Sequence, residues 1–439
     1  MSDHTYKNRN LHAAVKSFVM KAMDVVRERC LVEGNALDKN RFFVAKLTAT
    51  DELQQLPEYQ ACLQSLLADT TFSRQLKVLA GPRGGPKFQS ADAQGLMSQL
   101  IDLGAPQGHF AFDDAYFEHD YAEMEKAYYD QGIEYQAIAP LNGFIASGPL
   151  QLSDKIEIVE LDRKTGEPTL PSATDLWHEK VYGIRIKYSL PKAIGQDLEL
   201  KPDHRKDDDE IREAVNKQIG AVVTALRLHG IESVWVPGIL HKTSKWSFGR
   251  NEQFSGQFIP SISFSMPVDS DWLAKFKNSW KVLQSDDIAK RSFLLAAIRR
   301  FGYSCERYRS EDKIIDVLIA AEALFLSGNK YTGEIKYRLA QRSAFFLTEP
   351  GDSRRAIFDR MKIAYDLRST TAHGGAYKKA LPNKSDGNAY TLDEFVWQIQ
   401  DYVRLAILKA IHLASLPETP LHIVDWDDLI LNKQKVEIR

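Results

Sequence analysis

The chain has 439 residues, 44% of them hydrophobic and 26% charged, with 57 Lys and Arg against 59 Asp and Glu. That balance excludes wholesale disorder, collagen-like sequence and low complexity, and it leaves apolar material for more than one core. A net charge of −2 makes no global case for nucleic acid or membrane, so charge has to be read locally.

Residues 1–130 read as mainly helical. Leu11, Val15, Phe18, Val19, Met23 and Val26 recur at helical spacing, as do Leu96, Met97, Leu100, Ile101 and Leu103. Between them Gly81, Gly84, Gly85 and the prolines around them mark a loop. From 131 to 270 the period changes. Segments 133–138, 155–161 and 182–188 alternate apolar and polar residues as half-buried strands do, and 234–236 and 258–264 add strand material. A helix over 211–228 interrupts them, with Val215, Ile219, Val222, Val223 and Leu226 on one side and a charge-dense loop, 201–210, ahead of it.

From 271 to 439 the chain is helical again, with helices expected near 271–283, 286–303, 311–327, 334–347, 353–369 and 392–415. Asp286, Asp287, Ser310 and Ser353 signal starts, and Gly328, Gly351, Gly374 and Gly375 signal stops. The fold class is therefore α+β: a helical N-terminal region, a central α+β domain and a C-terminal all-α bundle.

Cys30, Cys62 and Cys305 are widely spaced and form no C-x-x-C pair, which argues against a disulfide scaffold and a cysteine-based zinc site. Residues 1–11 are polar, without the apolar stretch of a signal peptide. The longest uncharged run, 135–153, is broken by Pro140, Gly143, Gly148 and Pro149 and is too interrupted to span a bilayer. A cytoplasmic protein with no membrane partner is expected.

The C-terminal bundle carries polar residues on faces that should be apolar. Ile315, Leu318, Ile319 and Glu322 fall on one helical stripe, and Ile335, Leu339, Arg342 and Phe346 on another. A buried charge is costly unless paired, so Glu322 and Arg342 read as an internal ion pair, either purely structural or supporting a site. On the next helix Ile357, Met361 and Ala364 or Tyr365 lead to Arg368, and Ser369, Thr370, Thr371, Ala372 and His373 follow. A helix running through His373 would set it about 140° round from Arg368. The β-branched pair and the two glycines predict a break that lets His373 fold back. Between 286 and 379 there are 18 Lys and Arg against 12 Asp and Glu, a basic excess that suits a phosphate ligand as well as an ordinary solvated surface.

Arg368 and His373 with four residues between them fit the Arg-x(4–6)-His motif of the HEPN superfamily. The blocks around them resemble its ApeA-like branch: Asp312 to Asp316 leading into Ala321-Glu322-Ala-Leu-Phe325, Tyr337 to Leu347, Tyr365 to Arg368, and Arg299-Arg300-Phe301. The resemblance covers roughly 285–415. The segments around Pro140 to Phe144, Ile156 to Ile158 and Thr224 to Leu228 are similar to the domain preceding the bundle in such proteins. It implies a metal-independent endoribonuclease, a toxin or effector of abortive antiviral defence, acting on RNA as a homodimer through the bundle. It assigns His373 as general acid/base and Arg368 as the phosphate-binding, charge-stabilising group. Glu322 and Arg342 would support Arg368. Ser369, Thr370 and Thr371 are candidate phosphate contacts, with helix capping as their other role. Residues 1–270 would act as sensor of a phage-derived or nucleic-acid trigger. The competing reading is a HEPN-type RNA-binding or dimerisation module without catalysis.

Other constellations are weaker. The 81–87 segment lacks the Gly-Lys-Ser/Thr ending of a phosphate loop, and Pro86 removes an amide donor. His109, Asp113, Asp114, Glu118, His119 and Asp120 show no H-E-x-x-H arrangement and read as acidic surface. Asp207 to Glu210 read as a solvated loop followed by helix N-terminal charge. No G-x-S-x-G or G-x-G-x-x-G occurs, so no cofactor and no metal are expected.

Overall fold

One stripe of a 24-residue helix organises the N-terminal part of the chain. Leu11, Val15, Phe18, Val19, Ala22 and Met23 of α1 (Arg9–Val32) are buried together, as the helical period requires. They share a core with α3 (Thr50–Gln54), α4 (Pro57–Ala68) and α5 (Asp114–Tyr129), and α2 (Lys39–Thr48) adds Ala45 to a smaller cluster. Pro57 occupies the first turn of α4, where its missing N–H costs nothing. Asp113 caps α5 by accepting from the Tyr116 amide at 3.0 Å. The computed structural model describes residues 6–32, 39–73, 95–106, 109–161, 181–191, 203–243, 246, 253–256, 266–327, 333–348, 353–375, 381–382, 388–416 and 422–431. The predicted 81–87 loop and the 258–264 strand lie outside them.

Carboxylates of α5 tie down the first turns of α1 and the residues ahead of it. Glu118 lies 2.6 Å from the Lys16 Nζ and 2.9 Å from the His12 Nε2, and it accepts from the Tyr6 hydroxyl. Glu125 accepts from the Lys7 amide at 2.8 Å. Burial alone would lift the Glu118 carboxyl, but the hydrogen bonds from Lys16, Tyr6 and His12 outweigh it and hold it at about 2.

The sheet region comprises β1 (Gly132–Leu141), β2 (Phe144–Ala146), β3 (Leu150–Gln151), β4 (Ile156–Glu160), β5 (Tyr182–Pro191), α6 (Asp203–Leu228), β6 (Gly238–Thr243), β7 (Gln253–Gly256) and β8 (Met266–Val268). Six strands form one sheet in the order β3-β4-β5-β1-β6-β7, and β2 pairs with β8 in parallel. β4 runs antiparallel to β5 with Ile156 opposite Ile186 and Ile158 opposite Ile184. The period of two buries all four isoleucines. Two expectations are corrected. The predicted 234–236 strand is a lone bridge from Trp235 to Asn142. The expected 201–210 loop is helical from Asp203, which starts the helix about two turns earlier than the apolar period at 211–228 shows.

The chain packs as two compact units that cut across the three sequence segments. One comprises Met1–Ala137, Lys187–Val215 and His241–Gln253, and the other Ile138–Ile186, Asn216–Leu240 and Phe254–Arg439. The second holds α7 (Ser270–Leu283), α8 (Asp286–Ala289), α9 (Ser292–Glu306), α10 (Ser310–Leu326), α11 (Ile335–Leu347), α12 (Arg354–Ala372), α13 (Leu392–Ala414) and α14 (Trp426–Leu431). The single helix expected over 286–303 is two, interrupted at Lys290 and Arg291. The whole is α+β.

α10 lies at the heart of this bundle. Ile314, Val317, Leu318, Ala320, Ala321, Leu324 and Phe325 are buried against Phe301 of α9, Met361 of α12 and Phe395 and Ile407 of α13. Thr391 and Glu394 form a capping box at the start of α13. Arg227 of α6 is buried and donates to the Val234 and Gly302 carbonyls and to Glu306 at 3.0–3.2 Å. Gly302 permits that approach, since a Cβ there would stand 3.0 Å from Thr224 Oγ1. Among the described residues no helix is long and apolar enough to cross a membrane.

Asp316 is buried in α10 and accepts from Arg300 at 3.0 Å and Arg307 at 2.7 Å, both part-exposed. Asp316→Asn should cost about 1–3 kcal/mol in urea unfolding, against under about 1 kcal/mol for Arg300→Ala, whose loss leaves Arg307 in place. Glu118 gives a pH signature. Its depressed carboxyl stabilises the fold above 4.5, and that contribution is lost as pH falls towards 2. Acid unfolding curves of Glu118→Gln should lose this part of the pH dependence.

Candidate functional site

Three helices, α10, α11 and α12, carry the residues singled out above, and the structure joins them differently from the sequence reading. The buried stripe of α10 runs through Ile314, Val317, Leu318, Ala321 and Leu324, so Ile315, Ile319 and Glu322 sit at its half-buried edge. Glu322 faces Arg368 of α12, its Oε2 3.8 Å from Nη2, with the two side chains 26% and 28% exposed. Burial lifts the Glu322 carboxyl above the usual carboxylate range, and the Arg368 charge partly offsets this. The Arg368 Nε is buried and has no hydrogen-bond partner.

Arg342 is not the partner of Glu322, which corrects the expected internal pair. It is buried on α11 and donates to the Phe325 carbonyl at 2.7 Å, with its guanidinium 5.1 Å from the centre of the Trp426 ring. Phe325 stands in the last turn of α10, where carbonyls lack intrahelical donors. Arg342 therefore closes the C-terminal end of α10 and bridges it to α14. Burial lowers its pKa from the ordinary arginine value.

The backbone of α12 continues further than the sequence predicts. Its inner stripe, Ile357, Met361 and Ala364, ends at Arg368 as expected, with Leu367 buried beside it. The helix then runs through Ser369, Thr370 and Thr371 to Ala372. The Thr370 hydroxyl bonds back to the Asp366 carbonyl at 2.9 Å, and His373 still donates its amide to Ser369 at 3.3 Å. The turn away from the helix comes one residue later, at Gly374 with φ +73, a conformation that favours glycine. His373 is thus the C-cap and does not fold back onto Arg368. Helical geometry sets it about 140° round and about 7.5 Å along the axis from Arg368. Its imidazole is exposed and makes no hydrogen bond or ring contact among the described residues. Thr370 is engaged with the helix, whereas Ser369 and Thr371 make no side-chain hydrogen bond there.

Sequence reasoning missed a neighbouring pair, Lys336 of α11 and Asp366 of α12 at 2.6 Å. No spacing within either helix signals it, because the pair forms between helices. Among the described residues no group of three or more His, Cys, Asp or Glu is arranged to hold a metal ion. The chain matches no family model, no curated protein and no solved structure. A guanidinium with an unspent donor can take an anion, and an exposed imidazole on the next turn can exchange a proton.

The Arg342 and Glu322 contacts should separate by stability. Arg342→Ala strips a helix end of its donor and should cost about 1–3 kcal/mol in chemical unfolding. Glu322→Gln breaks a long, part-exposed pair and should cost less than about 1 kcal/mol.

Proposed function

We propose that this chain is a metal-independent endoribonuclease that cleaves RNA through the RNA's own 2′-hydroxyl, acting as a homodimer through its C-terminal bundle. The observation that carries the reading is Arg368: a guanidinium steadied by one long contact to Glu322, with a buried Nε left unpaired, one turn before an exposed histidine. A phosphate oxygen would complete that hydrogen-bond set.

His373 takes the proton of the 2′-hydroxyl, and the 2′-oxygen attacks phosphorus. Arg368 stabilises the charge that develops on the phosphorane oxygens. The bond from phosphorus to the 5′-oxygen breaks, and that oxygen takes a proton from a protonated His373 imidazole of the pair. The products are a 2′,3′-cyclic phosphate and a 5′-hydroxyl. Within one chain Arg368 and His373 diverge around α12, so a two-fold pairing that supplies both groups twice is the arrangement that lets them meet one linkage. The protein is read as a cytoplasmic, regulated toxin or effector of antiphage defence, with the first 270 residues sensing a phage-derived or nucleic-acid trigger.

One observation favours a second reading, an RNA-binding or dimerisation module without catalysis: no group among the described residues orients the His373 imidazole. Cleavage of total RNA in excess chelator decides between them. His373→Ala should slow cleavage at least about 100-fold, the scale of a lost general acid/base. Arg368→Ala should slow it by about 100- to 1,000-fold. Cutting that persists unchanged in both variants overturns the nuclease assignment at this site. RNA that is bound but never cut supports the second reading.

A further inference from the structure

α11 and α12 form an antiparallel pair, because Arg354 at the start of α12 lies over Phe345 near the end of α11, and Asp366 near the end of α12 meets Lys336 at the start of α11. Their outward face combines rings and cations. Tyr337 is 49% exposed and meets Phe358 edge to face, with centroids 5.3 Å apart. Lys362 and Arg355 stand 5.3 and 5.8 Å from the Phe358 centroid, and Arg354 stands 4.2 Å from that of Phe345. The acidic groups beside them are already neutralised: Asp359 by Arg355 at 2.7 Å and Asp366 by Lys336 at 2.6 Å. Lys362 and Arg354 have no carboxylate partner among the described residues, so this face keeps a positive surplus.

The face also leads to His373. At 100° per residue, Arg355, Lys362 and Asp366 all lie within about 20° of His373 around α12, and Phe358 within about 60°. The distance along the axis from Phe358 to His373 is about 22 Å.

We propose that this α11–α12 face binds single-stranded RNA, with an unstacked base on Tyr337 and Phe358 and backbone phosphates on Arg354 and Lys362, and delivers the strand to His373. The inference rests on the nuclease reading for its last step, but binding is tested without it. Aromatic rings flanked by unneutralised cations suit a strand whose bases are free. A duplex keeps its bases stacked, and an acidic peptide has no use for the rings.

The test uses the full-length His373→Ala protein, so that RNA stays intact, and a fluorescein-labelled uridine-rich single strand followed by anisotropy. Tyr337→Ala should weaken binding about tenfold, and Tyr337→Trp should restore it. Lys362→Ala should lower affinity and reduce the slope of log K against log salt by about 0.7. Unchanged affinity in Tyr337→Ala and Lys362→Ala overturns the proposal. So does a duplex or a poly-glutamate that competes as well as the single strand. Cleavage by the parent protein together with normal binding by Tyr337→Ala removes this face alone. Binding lost in Tyr337→Ala, with no cleavage by the parent, upholds the face and removes the nuclease reading.

Discussion

Beyond its first turn α10 is enclosed by apolar packing and still carries two carboxylates, Asp316 and Glu322, so the bundle must bring guanidinium groups to it. Asp316 receives two, from Arg300 and Arg307, and both are within hydrogen-bond distance. Glu322, six residues further on, receives one, and only at 3.8 Å. The first arrangement is complete and holds α9 against α10. The second is unfinished: Glu322 is desolvated without a close donor, and Arg368 keeps an unused one. Under-satisfied groups of this kind are uncommon where packing alone is at stake, and a ligand can complete them.

α12 connects this unfinished pair to the surface. Its inner stripe carries Ile357, Met361, Ala364 and Arg368, and its outer stripe carries Lys362, Asp366 and His373. The two groups assigned to the chemistry thus stand on different sides of one helix.

Much of the architecture was legible from periodicity. The core stripe of α1, the antiparallel alternation of β4 and β5, and the series of C-terminal helices all follow from where apolar residues recur. The errors have local causes. Glu322 and Arg342 looked like partners because each continued an apolar stripe, yet the α10 stripe is rotated by about one residue, which moves Glu322 to an edge that faces α12. Arg342 answered a need that no side-chain pattern displays, the free carbonyls at a helix end. The break expected at Thr370 and Thr371 is absent because a threonine hydroxyl can bond back to a carbonyl of its own helix, so the glycine alone sets the end. The dense charges at 201–210 carry no apolar periodicity and read as loop, yet the helix begins among them, at Asp203.

The Arg227 contacts bear on where the C-terminal bundle begins as a folding unit. Arg227 supplies donors to Gly302 and Glu306, Leu228 lies in the bundle's own core, and Arg404 of α13 donates back to the Leu228 carbonyl. A fragment excised at residue 270 would forfeit all three and leave a hole on the inner side of α9 and α13. A bundle that keeps these contacts has to reach back at least to the end of α6, and the stretch between them is inherited with it.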